Sequence, residues 1–471
     1  MKSIRFALSK GAYPMRYSLY IGLAVTLLII VSLSIWSGSR AKKSSRNPMS
    51  VVAGVITGTL VGGSSTIGTA QLAYQFGMSA WWYTLGAGIS CMILAFVYAK
   101  PFRRTGCSTL VSIIGKEYGP KVGMAVSVLS TVGTFINVIP QVISATAVLA
   151  VIFPAMGLTA AVAVSVAFMI LYVVFGGTKG AGIVGIVKMI LVYLTMIISA
   201  VMVLHMAGGL PSFVNTVRHI PDPDGVRFTS LFARGVGTEI GACLSVLLGV
   251  ITTQTYAQGV LSGRTDRDGV GGALISAFLI PPIGIGGILV GLHMRANAAL
   301  YAGVTAKTAL TAFITAHMPP LCAGIILGVL FITVVGTGAG ITLGIATMLT
   351  NDIALPMLPR LQKRKLAVSR GMIVLVLTVA GLLACGPLGD TILKFTFMSM
   401  GLRGAVVFLP LSCALWLPNR IPPRYTLAAV ITGPLMVLLF GLWKVLPFDS
   451  LFAGVGVSAV IMAIGLMKRK Q

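Results

Sequence analysis

One apolar run of this chain carries Gly62, Gly63, Ser64, Ser65, Thr66, Gly68 and Thr69 at its middle. Glycine permits irregular backbone, and carbonyls released from helical bonding, aided by hydroxyls, are the oxygen ligands that a hard monovalent cation needs. A second run closes on Gln254, Thr255 and Tyr256, again polar groups where an apolar helix is due. Arg403 falls near the middle of a third, where a charge costs at least about 2.5 kcal/mol on insertion scales. Its fork would suit a carboxylate bidentately, or it would pair with Glu239, the one acidic residue plainly inside an apolar run. Other chemistries lack their residues. Gly180 to Gly185 spell GxGxxG without a preceding strand, no GxxxxGK[ST] occurs, and His205, His219, His293 and His317 lack an HExxH or carboxylate partners. They read as interfacial residues, no transition-metal site is implied, and no catalytic residue emerges. The six cysteines have no CxxC spacing and read as small packing residues.

The elements that would position these groups are membrane spans. Of 471 residues 56% are hydrophobic and 9% charged, with mean hydropathy +0.98, which excludes an ordinary soluble globule. Thirteen spans are predicted, near 17–37, 50–76, 79–99, 120–152, 156–175, 181–207, 235–262, 271–294, 317–350, 370–386, 390–416, 424–446 and 450–468. The net charge of +26 sits in short loops such as "SRAKKSSR", "KPFRR" and "RLQKRK", as topology signals and lipid contacts rather than a nucleic-acid patch. Their bias places the carboxyl terminus in the cytoplasm and the amino terminus outside. All five tryptophans fall near span ends, in the interfacial belt. Spans two and seven, five apart, are both weak and polar, the pattern of an inverted-repeat secondary transporter with a site at the bilayer midplane.

With these features the chain resembles the sodium/solute symporter family. The resemblance is carried by "GGSSTIGTAQLAYQFGMSAWWYTLGAGI", "YVVFGGTKGAGIVGIVKMIL", "TTQTYAQGVLSG" and "PPLCAGIILGVLFITVVGTGAGITLGIATMLTNDI", in family order. It implies an all-α membrane protein of LeuT-type fold, with broken helices at spans two and seven. The organisation would be an amino-terminal span and basic inner loop (1–49), a first inverted five-helix repeat (50–207), an outer loop (208–234), a second repeat (235–416) and two peripheral spans (417–471). Family spacing implies a sodium site built by the carbonyls of Ser64, Ile67 and Thr333 with Gly336 and Thr337, the glycine standing where relatives have a second hydroxyl. Ser65, Thr66, Thr69, Gln71, Gln254, Thr255, Tyr256 and Arg403 are candidates to face the solute; hydrogen bonding between helices is the alternative for each of the polar ones.

Other departures bear on coupling. Gly185 aligns where relatives often carry Asp, and Lys188 stands three residues on. Lys188 has two readings: a tethered ammonium replacing the cation, or a side chain that snorkels to the cytoplasmic interface, about 10 Å away along the helix. Gln258 matches the glutamine of a family "QR" pair whose Arg is Gly259 here, and with Gly185, Lys188 and Glu239 it makes up the candidate coupling or gating set. The expectation is a sodium-coupled symporter of a small organic solute in the cytoplasmic membrane of a prokaryote, working by alternating access, with the lipid bilayer as its other partner. Sodium-independent transport, by proton coupling or exchange with Lys188 in the cation's place, is the alternative; a transporter-like sensor or membrane enzyme is less favoured.

Overall fold

The computed structural model describes residues 17–29, 32, 47–220, 225–301, 303–386, 392–443 and 449–468. The basic stretch 39–46, Trp36 and the last residues of the terminal "KRK" lie outside them. No water is available in hydrocarbon for backbone polar groups, so a spanning chain of this composition bonds its backbone within helices. Among the described residues every regular element is a helix, and the one extended contact is an isolated bridge between Asn47 and Gly263. We number the principal helices α1 (Tyr17–Ile29), α2 (Met49–Leu60), α3 (Thr69–Phe76), α4 (Trp81–Ile93), α5 (Pro120–Ile136), α6 (Val138–Ile152), α7 (Leu158–Met206) and α8 (Val236–Ile251). The rest are α9 (Gln254–Leu261), α10 (Asp266–Leu279), α11 (Pro281–Ala296), α12 (Pro320–Met348), α13 (Lys365–Ala384), α14 (Ile392–Trp416), α15 (Pro423–Trp443) and α16 (Ser450–Met467).

Nine helical segments of the described residues are long and apolar enough to cross a membrane, or ten if α8 and α9, bent by 47° at their junction, form one span. Three shorter apolar helices accompany them. The two spans expected at 156–175 and 181–207 form one helical run, α7, and no proline removes a backbone donor between them. Phe96, Phe278 and Leu382 are 68–70% exposed, an arrangement suited to lipid rather than water. The interior holds Lys188, Glu239 and Arg403, all buried.

Two breaks in the helices bring polar groups into the interior. α2 ends at Leu60, Val61 turns extended, and a wide turn at Ser64–Gly68, with Gly68 N–H on the Gly63 carbonyl, leads into α3. α8 ends at Ile251 and α9 starts at Gln254, with the Thr252 and Thr253 hydroxyls bonded back to the carbonyls of Leu248 and Gly249. Helix α7 lies against α2 where Gly185 meets Gly54; a Cβ on Gly185 would stand 2.0 Å from the Gly54 oxygen. One turn further along both helices, Lys188 meets Gly58.

Gly185→Val should therefore separate α7 from α2 and lower the melting temperature of the detergent-purified protein, a loss of about 1–3 kcal/mol as for overpacked cores. Gly371→Ala, on α13 with nothing near its missing Cβ, should leave it unchanged or slightly higher.

Candidate functional site

The first interruption is bonded almost group by group. Gly62 N–H donates to Ser65 Oγ at 2.8 Å, and the Gly62 carbonyl accepts from Thr66 Oγ1 at 2.7 Å. Gly63 N–H donates to Gln141 Oε1 on α6 at 3.0 Å, and Thr69 Oγ1 donates to the Ser64 carbonyl at 3.1 Å. Ser65, Thr66 and Thr69, candidates to face the solute, thus bond their own backbone. Gln71 Oε1 accepts from Ile392 N–H at the start of α14. The Ser64 hydroxyl meets Thr396 Oγ1 of α14 at 2.8 Å and accepts from Gln141 Nε2 at 3.2 Å. Gln141 and Thr396 were missed in the sequence; the amides Asn137 and Gln141 within the apolar "NVIPQVIS" were the available signal.

Lys188 does not snorkel. It is 3% exposed, and its ammonium donates to the Gly58 carbonyl at 2.5 Å and to Thr337 Oγ1 at 2.8 Å. Thr337 in turn donates to the Val61 carbonyl at 2.9 Å. A Cβ on Gly62 would fall 2.5 Å from Thr337 Oγ1, so glycine is what lets α12 come this close. A Cβ on Gly336 would be 3.4 Å from the Tyr172 hydroxyl and 3.8 Å from Lys188 Nζ, so the missing hydroxyl leaves room for this pair. The carbonyls that meet Thr337 are those of Gly58 and Val61, six residues before the expected Ser64 and Ile67. Ile67 is buried, and Thr333, one turn before Thr337, has a buried hydroxyl without a partner among the described residues. Two oxygens, the Gly58 carbonyl and the Thr337 hydroxyl, thus hold the ammonium, and the Val61 carbonyl is bonded through Thr337.

The second interruption has its own cation. Arg403 on α14 is 1% exposed, with Nη1 donating to Thr253 Oγ1 at 2.5 Å and Nε to the Ser399 carbonyl at 3.3 Å. It does not pair with Glu239. That residue lies in the first turn of α8, held bidentately by Arg234 at 2.9 and 2.7 Å, while Arg234 sits 5.9 Å from the rings of both Phe76 and Phe397. Gln254 bonds Leu110 N–H and the Ser108 carbonyl, Thr255 donates to the Gly340 carbonyl, and Tyr256 is buried. Gln258 is half-buried on α9, and Gly259 packs against Ile56 and Val55 of α2. His293, expected at an interface, is buried beside Phe313 and His317. Among the described residues no three His, Cys, Asp or Glu side chains gather as metal ligands.

The model of the sodium:solute symporter family matches residues 44–433. The chain belongs to the sodium:solute symporter family. Among similar proteins are the uncharacterized symporter YwcA of Bacillus subtilis (strain 168), 28% identical over 149 residues, and the high-affinity choline transporter 1 of Caenorhabditis elegans, 25% identical over 289 residues. These matches cover 31% and 55% of this chain, and only 29% and 48% of the two relatives. Among solved structures, a substrate-bound, outward-open Na+-coupled sialic acid symporter superposes with a TM-score of 0.75 at 16% identity, over 96% of this chain and 97% of that one. A manganese transporter of Eremococcus coleocola reaches 0.52 at 13% identity, over 89% and 93%. This member of the symporter family is thus an integral membrane protein of LeuT-type fold, and its family and structural neighbours are transporters rather than enzymes.

Removing the Thr337 hydroxyl leaves both the Val61 carbonyl and a buried ammonium short of a partner, each loss costing about 1–3 kcal/mol. Thr337→Val should lower the melting temperature accordingly, and Thr337→Ser, which keeps the oxygen, should restore most of it.

Proposed function

We propose that this chain is a secondary active transporter of a small organic solute in which the Lys188 ammonium takes the cation's place at the interruption between α2 and α3. The observation that carries the reading is the pair of contacts from Lys188 Nζ to the Gly58 carbonyl and Thr337 Oγ1. A sodium ion there would contact the same kind of oxygens, and a fixed ammonium already supplies the single positive charge. Two cations this close repel strongly in a medium of low dielectric. Coupling by sodium at this position is therefore replaced by coupling to a proton, carried by Lys188 itself, or by exchange of one solute for another.

The proposed topology keeps thirteen crossings in the cytoplasmic membrane, amino terminus outside and carboxyl terminus inside, with the 49-residue run α7, at about 1.5 Å per residue far longer than one crossing, supplying two of them. The two repeats would be 50–207 and 235–416, each led by an interrupted helix. Alternating access would move one bundle against the other around these interruptions. Lys188 joins α7 to α2 and α12, so its bonds must rearrange when those helices part, and the ammonium travels with α7 instead of exchanging with solution. A sodium-coupled reading draws on the unpartnered Thr333 hydroxyl near the cage.

Melting of the purified protein in sodium against N-methylglucamine, at fixed ionic strength, separates the two. A roughly millimolar sodium site would add about 2.7 kcal/mol at about 100 mM ion. The wild-type chain should give a flat titration, and Lys188→Gln, which vacates the charge, should gain a saturable sodium response. A saturable response in the wild type that Thr337→Val removes would return the site to sodium.

A further inference from the structure

Two buried cations line the two interruptions, each with two hydrogen bonds. On Arg403 the Nη2 nitrogen has no hydrogen-bond partner among the described residues, although the side chain is 1% exposed. Among the described residues the ion pairs are Arg103 with Asp266 and Arg234 with Glu239, and none of their carboxylates pairs with Arg403. An arginine cannot escape by losing its proton in a protein, and a buried charge without a counter-charge is costly enough to require a reason.

The position of Arg403 supplies one. Thr396, Ser399 and Arg403 recur at helical spacing along one face of α14. Thr396 meets Ser64 at the first interruption, Ser399 donates to the Gly133 carbonyl, and Arg403 meets Thr253 at the second. This polar face therefore links both breaks. The arginine stem runs over Gly133, where a Cβ would stand 2.8 Å from Arg403 Cγ. Thr253 is the residue just before α9, so the guanidinium lies beside the positive end of an eight-residue helix whose first amides lack helical acceptors. The phenols of Tyr83 and Tyr256 are buried; Tyr256 lies in the first turn of α9, three residues after Thr253, and the Tyr83 ring stands edge-on to Phe397 of α14 at 5.9 Å.

We infer that the transported solute is a small organic anion whose carboxylate bonds Arg403 Nη2 at the start of α9, with the aromatic rings of Tyr83 and Tyr256 beside its organic part. The inference rests on the transporter reading above. A guanidinium and a helix amino terminus both attract an anion, and each would repel an ammonium group brought to the same place. Choline, named for the Caenorhabditis elegans relative, would add a further positive charge and should be excluded.

The test is melting of the full chain against acetate, propionate, pyruvate, lactate and benzoate, each beside its neutral amide, with choline as the cationic probe and ionic strength constant. At least one carboxylate should raise the melting temperature saturably while its amide and choline do not. Arg403→Gln should weaken that binding about 10- to 100-fold, the range for a hydrogen bond to a charged group, and Arg403→Lys should retain part of it. Stabilisation by choline or by the amides, an unchanged carboxylate response in Arg403→Gln, or no response to any carboxylate would overturn the assignment. The wild-type panel decides the matter by itself should the Gln variant fail to fold. Counterflow in proteoliposomes then distinguishes the two levels. Movement of choline or an amide with carboxylates inert would overturn the anion and leave transport standing, whereas carboxylate binding without movement would leave the anion site and overturn transport.

Discussion

A helix interrupted inside hydrocarbon exposes amides and carbonyls that no solvent there can bond, and most of this structure is organised around that requirement. Between Gly58 and Ser64 the acceptors and donors come from side chains of the same segment and from three other helices: Gln141 on α6, Lys188 on α7 and Thr337 on α12. None of these partners is adjacent in sequence. The interruption therefore persists only when α2, α6, α7 and α12 are packed together, and glycines at 62 and 185 are what allow the approach. Packing, here, serves hydrogen bonding.

The same requirement connects structure to motion. A carbonyl cage that holds a diffusible ion is released when the ion leaves, whereas a cage around a tethered ammonium is released only when α7 moves or the ammonium changes its protonation. In the proposed mechanism the positive charge at this break is thus part of a helix. At the second interruption α8 and α9 bend by 47° around Thr252 and Thr253, and the bonds there are supplied by threonine hydroxyls and by Arg403. The two breaks are bridged by α14, so a solute held at one would be sensed at the other through a single rigid element.

Much of the architecture was legible because hydrophobic runs and glycine-hydroxyl clusters report burial and helix weakness directly. The cluster at 62–69 marked the interruption, and "TTQTY" marked the bend before α9. Register was harder. Family spacing placed the cage carbonyls at Ser64 and Ile67, but the extended residue is Val61, three residues ahead of the hydroxyls, so the freed carbonyls lie earlier. Lys188 had two readings because helical periodicity does not say which face meets protein when the whole run is apolar. The contact of Gly185 with Gly54 decides it, and that contact is tertiary. Pairing of Glu239 with Arg403 was one of two expectations for the arginine, whereas Arg234, five residues before Glu239, takes both its oxygens. Gln141 and Thr396 depend on packing between distant helices and left only a weak trace in sequence.

The central claim is that a side-chain ammonium holds the place of a diffusible cation. Equilibrium binding of radioactive sodium to the purified chain, with Lys188→Ala in parallel, tests it most directly. The account predicts no saturable binding to the wild type and one saturable site in the variant. Binding to the wild type that disappears in Thr337→Val would contradict it.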